Sequence, residues 1–147
     1  MKARDIMTKE VITVSEEENI ENATKLLIKN KISGVPVVNE DNKVVGIVTE
    51  TDLIFKDKDI SIPSYVPLLG GFILLDSVKK FENELKKVAA YKVKDLMSTP
   101  AIKVEEDDEV RKVVNLMLDK RINRVPVIDE EGKIKGIIAR SDILTHL

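Results

Sequence analysis

The chain has 147 residues, 24 Lys and Arg against 26 Asp and Glu for a net charge of −2, no cysteine and one histidine. The missing cysteines exclude disulfides, iron–sulfur clusters, cysteine-rich zinc sites and thiol nucleophiles, and His146 alone cannot supply a histidine-based triad or metal cage. The charge balance gives no footing for sequence-independent binding to a phosphate backbone, so nucleic acid is not an expected partner.

Met1 to Glu10 carries five charged residues and no apolar run, which predicts no secretory leader. A β-rich run over residues 11–14 leads into Ser15-Glu16-Glu17-Glu18, which has the form of a capping box with acidic residues suited to a helix start. The helix that follows places Ile20, Ala23, Leu26 and Leu27 on one face, a period near 3.6. Two strands over residues 35–38 and 44–49 are joined by the polar turn 39–43, and a short helix begins near Glu50.

The next segment differs in character. All five aromatic residues, Phe55, Tyr65, Phe72, Phe81 and Tyr91, fall within residues 55–91. Pro63, Pro67 and Gly70-Gly71 predict a compact loop over 63–75. Residues 76–90 are then expected to form an amphipathic helix with Val78, Phe81, Leu85 and Val88 on one face. The insert reads either as an arm packed on the rest of the chain or as a lid or subunit contact. Its apolar stretch, residues 60–75, is too short to span a bilayer and is broken by its prolines, so no membrane partner is expected. Together these features predict a soluble, cytoplasmic protein, and a Lys/Glu-rich charged fraction of 34% fits a thermophilic source.

The chain then repeats itself. A shift of 90 residues aligns Asp5–Ile54 with Asp95–Leu144 without a gap, and fifteen of the fifty pairs are identical. The second copy has a β-rich run at 101–104, an acidic start at 105–109 and a helix with Val110, Val113, Leu116 and Met117 on one face. Strands at 125–128 and 134–139 and a short helix from Arg140 complete it. The unit is β-α-β-β-α twice, an α/β fold in three segments: repeat 1 (1–54), insert (55–91) and repeat 2 (92–147). Each unit is near the lower size limit for folding alone, so the copies are expected to pack together about a pseudo-two-fold axis.

Candidate chemistry sits where the last strand of each unit passes into its helix: Gly46-Ile-Val-Thr49-Glu-Thr-Asp52 and Gly136-Ile-Ile-Ala139-Arg-Ser141-Asp142. A carboxylate beside backbone N–H groups and hydroxyls suits a nucleotide, the carboxylate accepting from ribose hydroxyls. Thr49-x-x-Asp52 is equally a capping box that needs no ligand. In the second copy Ala139 cannot cap, yet Asp142 persists, which favours a ligand role unless Ser141 caps instead. Arg124, opposite Gly34 in the first copy, could offer a fork of donors to a phosphate, or be a solvated arginine or surface ion pair. Pro36 and Pro126 fit strand-start or edge positions. The acidic run 105–109 lacks the pattern of a calcium loop, and Gly70-Gly71 lacks the spacing of a phosphate loop. No nucleophile has a base beside it, and His146 reads as a frayed end.

Asp5-Ile-Met-Thr and Asp95-Leu-Met-Ser, the two Pro-Val strands and the paired Gly-hydrophobic-hydrophobic-x-x-x-Asp runs resemble a pair of cystathionine-β-synthase (CBS) domains, a Bateman module, over about 100 of the 147 residues. The resemblance implies a regulatory module, not an enzyme, with no required cofactor. It would bind AMP, ADP, ATP or S-adenosylmethionine between the repeats. By position, Asp52 and Asp142 match a ribose-binding aspartate and Thr49 a phosphate-binding hydroxyl from which Ala139 departs. Arg124 matches a phosphate-binding basic residue, while Ile12 and Ile102 match the wall of the base pocket. A homodimer and an effector protein of unknown identity are also implied. The alternative is a dimerisation or adaptor scaffold with empty clefts, a reading that Ala139 and Gly34 favour.

Overall fold

The computed structural model describes residues 1–55 and 91–146. The loop and helix expected at 63–75 and 76–90 lie outside the described residues. Repeat 1 contains α1 (Ala3–Ile6), β1 (Val14–Ser15), α2 (Ile20–Asn30), β2 (Gly34–Val38), β3 (Val44–Thr49) and α3 (Glu50–Phe55). Repeat 2 contains α4 (Val93–Leu96), β4 (Val104–Glu105), α5 (Val110–Lys120), β5 (Arg124–Ile128), β6 (Ile134–Ala139) and α6 (Arg140–Thr145).

Each repeat builds one three-stranded sheet, β1-β2-β3 or β4-β5-β6. The first pair in each is parallel and bridged by the long helix, while the second pair is an antiparallel hairpin. The first strands are shorter than the β-rich runs that precede them. Only Val14 and Ser15 pair with β2, opposite Val37 and Val38. Pro36 lies beyond that point, where β2 has no partner on its β1 side among the described residues, so its missing N–H breaks no bond to β1.

The long helices also begin later than Ser15 and the acidic run 105–109 suggest. The N-cap of α2 is Asn19, whose side chain accepts from Asn22 N–H at 2.8 Å, and that of α5 is Glu109. Ser15 Oγ instead accepts from Glu17 N–H at 3.1 Å. The acidic residues form a turn because their carbonyls are engaged elsewhere. Glu16 and Glu18 accept from the N–H groups of Lys94 and Val93, and Glu106 and Asp108 from those of Arg4 and Ala3. Both helices end on a residue in the left-handed conformation, Lys31 (φ 53°) and Arg121 (φ 54°).

These bonds reveal an exchange between the repeats that the sequence does not display. Helix α1 packs into the core of repeat 2, where Ala3 and Ile6 join Val104, Val113, Met117, Val125, Val127 and Ile138. Reciprocally, Val93 and Leu96 of α4 join Ile20, Ala23, Leu27, Val35, Val37 and Val48 in the core of repeat 1. Four-residue helices have no stability of their own. Burial of Ile6, Val93 or Leu96, at about 1.5–3 kcal/mol each when complete, holds them in place.

Beyond each short helix the crossing segment adds one bridge to the open edge of the other repeat's sheet, Thr8 opposite Ile137 and Ser98 opposite Ile47. Gly46 and Gly136 permit this approach. A Cβ at Gly46 would lie 2.6 Å from Met97 Sδ, and one at Gly136 2.6 Å from Met7 Sδ. A third contact joins the hairpin turns, where Val44 N–H donates to Gly132 C=O and Ile134 N–H to Asn42 C=O.

Candidate functional site

Between the repeats, the two sheets and the crossing segments form adjacent clefts that share part of their walls. The central cavity, about 210 Å³, lies where the β2 and β5 starts face one another and includes Ser33, Gly34, Pro36, Thr49, Asn123, Pro126 and Ile137 in its wall. Arg121, Arg124 and Arg140 line the same cavity. A second cleft of about 210 Å³ opens beside it and shares Gly34, Pro36, Arg124 and Ile137. Its remaining walls come from three places: Thr8, Glu10 and Ile12 of the first crossing segment, Ile32 of repeat 1, and Ala139, Ser141 and Asp142 of repeat 2.

Four of the sequence candidates, Ile12, Arg124, Ser141 and Asp142, therefore meet in one cleft. Asp142 is the third residue of α6. Its Oδ2 accepts from Ala139 N–H at 2.8 Å and its Oδ1 from the Thr8 hydroxyl at 3.2 Å. The first bond explains why this aspartate survives without a threonine at 139: the carboxylate half of the capping box needs only a backbone N–H. Ser141 does not cap α6; it lines the cleft, and its C=O accepts from Thr145 Oγ1. Ile12, 38% exposed, is an apolar side chain held open to solvent inside the cleft, with Ile32, Pro36, Ile137 and Ala139 completing an apolar wall.

Arg124 starts β5 and is half-buried. Its Nη1 donates across the repeat boundary to Gly34 C=O at 3.4 Å, and no carboxylate among the described residues pairs with it. Among the described residues it is thus neither fully solvated nor half of an ion pair. A Cβ at Gly34, its counterpart, would lie 3.1 Å from Thr49 Cγ2.

The other three candidates are placed differently. Asp52 is buried at 7% exposure, and lines neither cleft. Its Oδ2 accepts from Thr49 N–H at 3.0 Å and from the Thr49 hydroxyl at 3.2 Å, and its Oδ1 from Ser98 Oγ at 2.8 Å. Thr49 lines the central cavity while its hydroxyl also accepts from Asp52 N–H at 3.3 Å, completing the capping box. Ile102 lines neither cleft. The sequence reading missed Thr8, Glu10, Arg121 and Arg140. A hydroxyl at both Thr8 and Ser98, one repeat apart, was the available signal for the first. His146 is not frayed, since its Nδ1 lies 2.8 Å from Asp142 C=O.

Among the described residues no group of three or more His, Cys, Asp or Glu could hold a metal ion, and no helix is long and apolar enough to cross a membrane. The CBS domain family model matches residues 3–59 and 93–147. The chain belongs to the CBS domain family. It is a CBS pair, 33% identical over its whole length to an uncharacterised protein of Methanocaldococcus jannaschii, MJ1426, of which it covers 91%. It is 32% identical to the inosine-5'-monophosphate dehydrogenase of the same organism, matching 97% of this chain but 23% of that protein. Among solved structures, the CBS domain pair of protein MJ0100, in complex with 5'-methylthioadenosine and S-adenosyl-L-methionine, superposes with a TM-score of 0.68 at 26% identity. The match covers 99% of this chain and 94% of that one.

Proposed function

We propose that this CBS pair is a regulatory module that binds one adenosine-containing small molecule per chain in the cleft of Asp142. The observation that carries the reading is the meeting of Ile12, Arg124, Ser141 and Asp142 there. The apolar wall of Ile12, Ile32, Pro36, Ile137 and Ala139 suits a flat base. Asp142 Oδ1 retains capacity to accept from a ribose hydroxyl, and Arg124 offers a planar fork of donors to a phosphate. The class of ligand bound by the MJ0100 pair supports the same reading. A bound molecule would touch the crossing segment, repeat 1 and repeat 2 together, so it favours one packing of the three. That differential contact is what a ligand needs in order to act as a signal. Asp52 is reserved for structure in this reading, its carboxylate being enclosed by Thr49 and Ser98. The module acts as a homodimer upon an effector protein of unknown identity, with the exposed Ile28 and Leu118 at equivalent positions of α2 and α5 in the subunit contact.

Titration calorimetry with AMP, ADP, ATP and S-adenosylmethionine, with GTP as control, tests this. We expect one site per chain for at least one adenosyl compound, weakened at least about tenfold by Asp142→Ala, the loss of one charge-assisted hydrogen bond. Asp95→Ala serves as the control, because Asp95 accepts from Lys92 N–H at 2.9 Å in the same capping role away from the cleft. Equal losses in the two variants would assign Asp142 to capping alone. No binding of any adenosyl compound would leave the empty-cleft scaffold as the better reading.

A further inference from the structure

The cleft of Asp142 and the central cavity differ in charge, and that difference bears on which ligand the protein takes. Among the described residues the cleft carries Glu10 and Asp142 with Arg124, whereas the central cavity carries Arg121, Arg124 and Arg140 and no carboxylate. Among the described residues none of these three guanidiniums is in an ion pair. Their counterparts in repeat 1 are Lys31, Gly34 and Glu50, so the triple cluster belongs to one repeat and is no by-product of the duplication. Ser33, Thr49 and Asn123 add polar groups to the same wall. Three cations around one cavity repel one another, a cost that an anion spanning them removes. Planar guanidiniums match phosphate oxygens in pairs, which a single ammonium does not. Gly34, Pro36, Arg124 and Ile137 line both spaces, so a molecule whose ribose meets Asp142 lies beside the basic cavity, with the Arg124 guanidinium common to the two.

We propose that the ligand is a nucleoside polyphosphate, a di- or triphosphate, whose phosphate chain runs past Arg124 into the cavity of Arg121 and Arg140. The proposal rests on the reading of the Asp142 cleft as the ribose site, and it specifies the phosphate end of the same molecule. A monophosphate ends near Arg124 and leaves the other two guanidiniums unsatisfied. S-adenosylmethionine brings a sulfonium towards them, so like charge counts against it.

Calorimetry with AMP, ATP, S-adenosylmethionine and inorganic tripolyphosphate, on the wild type and on Arg121→Gln and Arg140→Gln, tests this directly. Both arginines are exposed, and circular dichroism checks that the variants fold. ATP is expected to bind at least about tenfold more tightly than AMP, a preference reduced in either variant while AMP affinity stays unchanged. The ATP preference should also shrink with added salt, as screening weakens its extra charge contacts. Equal affinity for AMP and ATP, or tighter binding of S-adenosylmethionine, would overturn the polyphosphate assignment and leave the adenosyl reading standing. Tripolyphosphate binding with no adenosyl compound bound would overturn both, assigning the cavity to a free polyanion.

Discussion

Four aspartates in this chain, Asp5, Asp52, Asp95 and Asp142, do the same local work: each sits three residues into a short helix segment and accepts from the N–H of the residue before it. Their surroundings separate them. Ser98 and Thr49 enclose Asp52, whereas Asp142 keeps one oxygen at a cleft wall where, among the described residues, Thr8 is its one partner. The sequence leaned towards Asp142 only through Ala139, because the difference between the two carboxylates is one of burial, set by a segment distant in the chain. Gly136 is likewise fixed by a distant neighbour. A Cβ there would meet Met7 Sδ at 2.6 Å, Cγ at 2.8 Å and Cβ at 3.0 Å. The sulfur can swing aside but the Met7 Cβ cannot, so Gly136→Ala should destabilise by about 1–3 kcal/mol, lowering Tm by several degrees. Thermal denaturation of Gly136→Ala, Met7→Ala and the double variant checks the cause. The double variant should lose clearly less than the sum of the singles, and strict additivity would show that the contact is not responsible.

At the scale of elements, the short helices α1 and α4 are the joints between repeats, and each is clamped by charge as well as by apolar burial. Glu17 receives Lys92 Nζ at 2.6 Å and Lys94 Nζ at 2.9 Å, and Arg4 pairs with Asp107 at the related place in the other half. The hydrogen bond from Lys92, then that from Lys94, pulls the Glu17 carboxyl from its ordinary 4.5 to about 2. A carboxyl depressed in the folded state stabilises at pH values above its unfolded pKa, and that contribution is lost as pH falls from about 4.5 towards about 2. Glu17→Gln should therefore lower Tm near pH 7, and the gap from wild type should close as the pH drops through this window. Because the pair is exposed, the gap should be small and should shrink with salt. Thermal melts at several pH values and two salt concentrations read this out; a gap that persists near pH 2 would mean that Glu17 acts through something other than its charge. The acidic run looked like a helix start because a turn that receives another segment's N–H groups and a helix first turn share one composition. Only the partner decides between them.

At the scale of the whole molecule, the duplication was plain from the 90-residue shift, and with it the strand and helix content of both halves. Helical and strand periodicity are local signals, and a repeat displays each of them twice. The exchange of α1 and α4 was not legible, because it joins residues such as Thr8 and Ile137 that no period links. The same exchange builds the cleft of Asp142, where each wall comes from a different part of the chain and the chemistry at one wall says nothing of its neighbour. The long helices carry the remaining question of assembly. Helix α5 buries Val113 and Met117 but leaves Leu118 71% exposed, and α2 buries Ala23 and Leu27 but leaves Ile28 43% exposed. Leu144 on α6, 65% exposed, adds a third unburied aliphatic side chain. A pair of equivalent apolar positions on both long helices suits a contact between two copies, in which both repeats of one chain meet those of the other. Leu118→Glu would place a charge in that contact and should convert a dimer to a monomer in sedimentation equilibrium. Leu118 lines neither cleft, so nucleotide affinity should be retained. A dimer that survives both Leu118→Glu and Ile28→Glu would move the subunit contact elsewhere. Loss of dimer and ligand together would mean that the clefts depend on the partner copy.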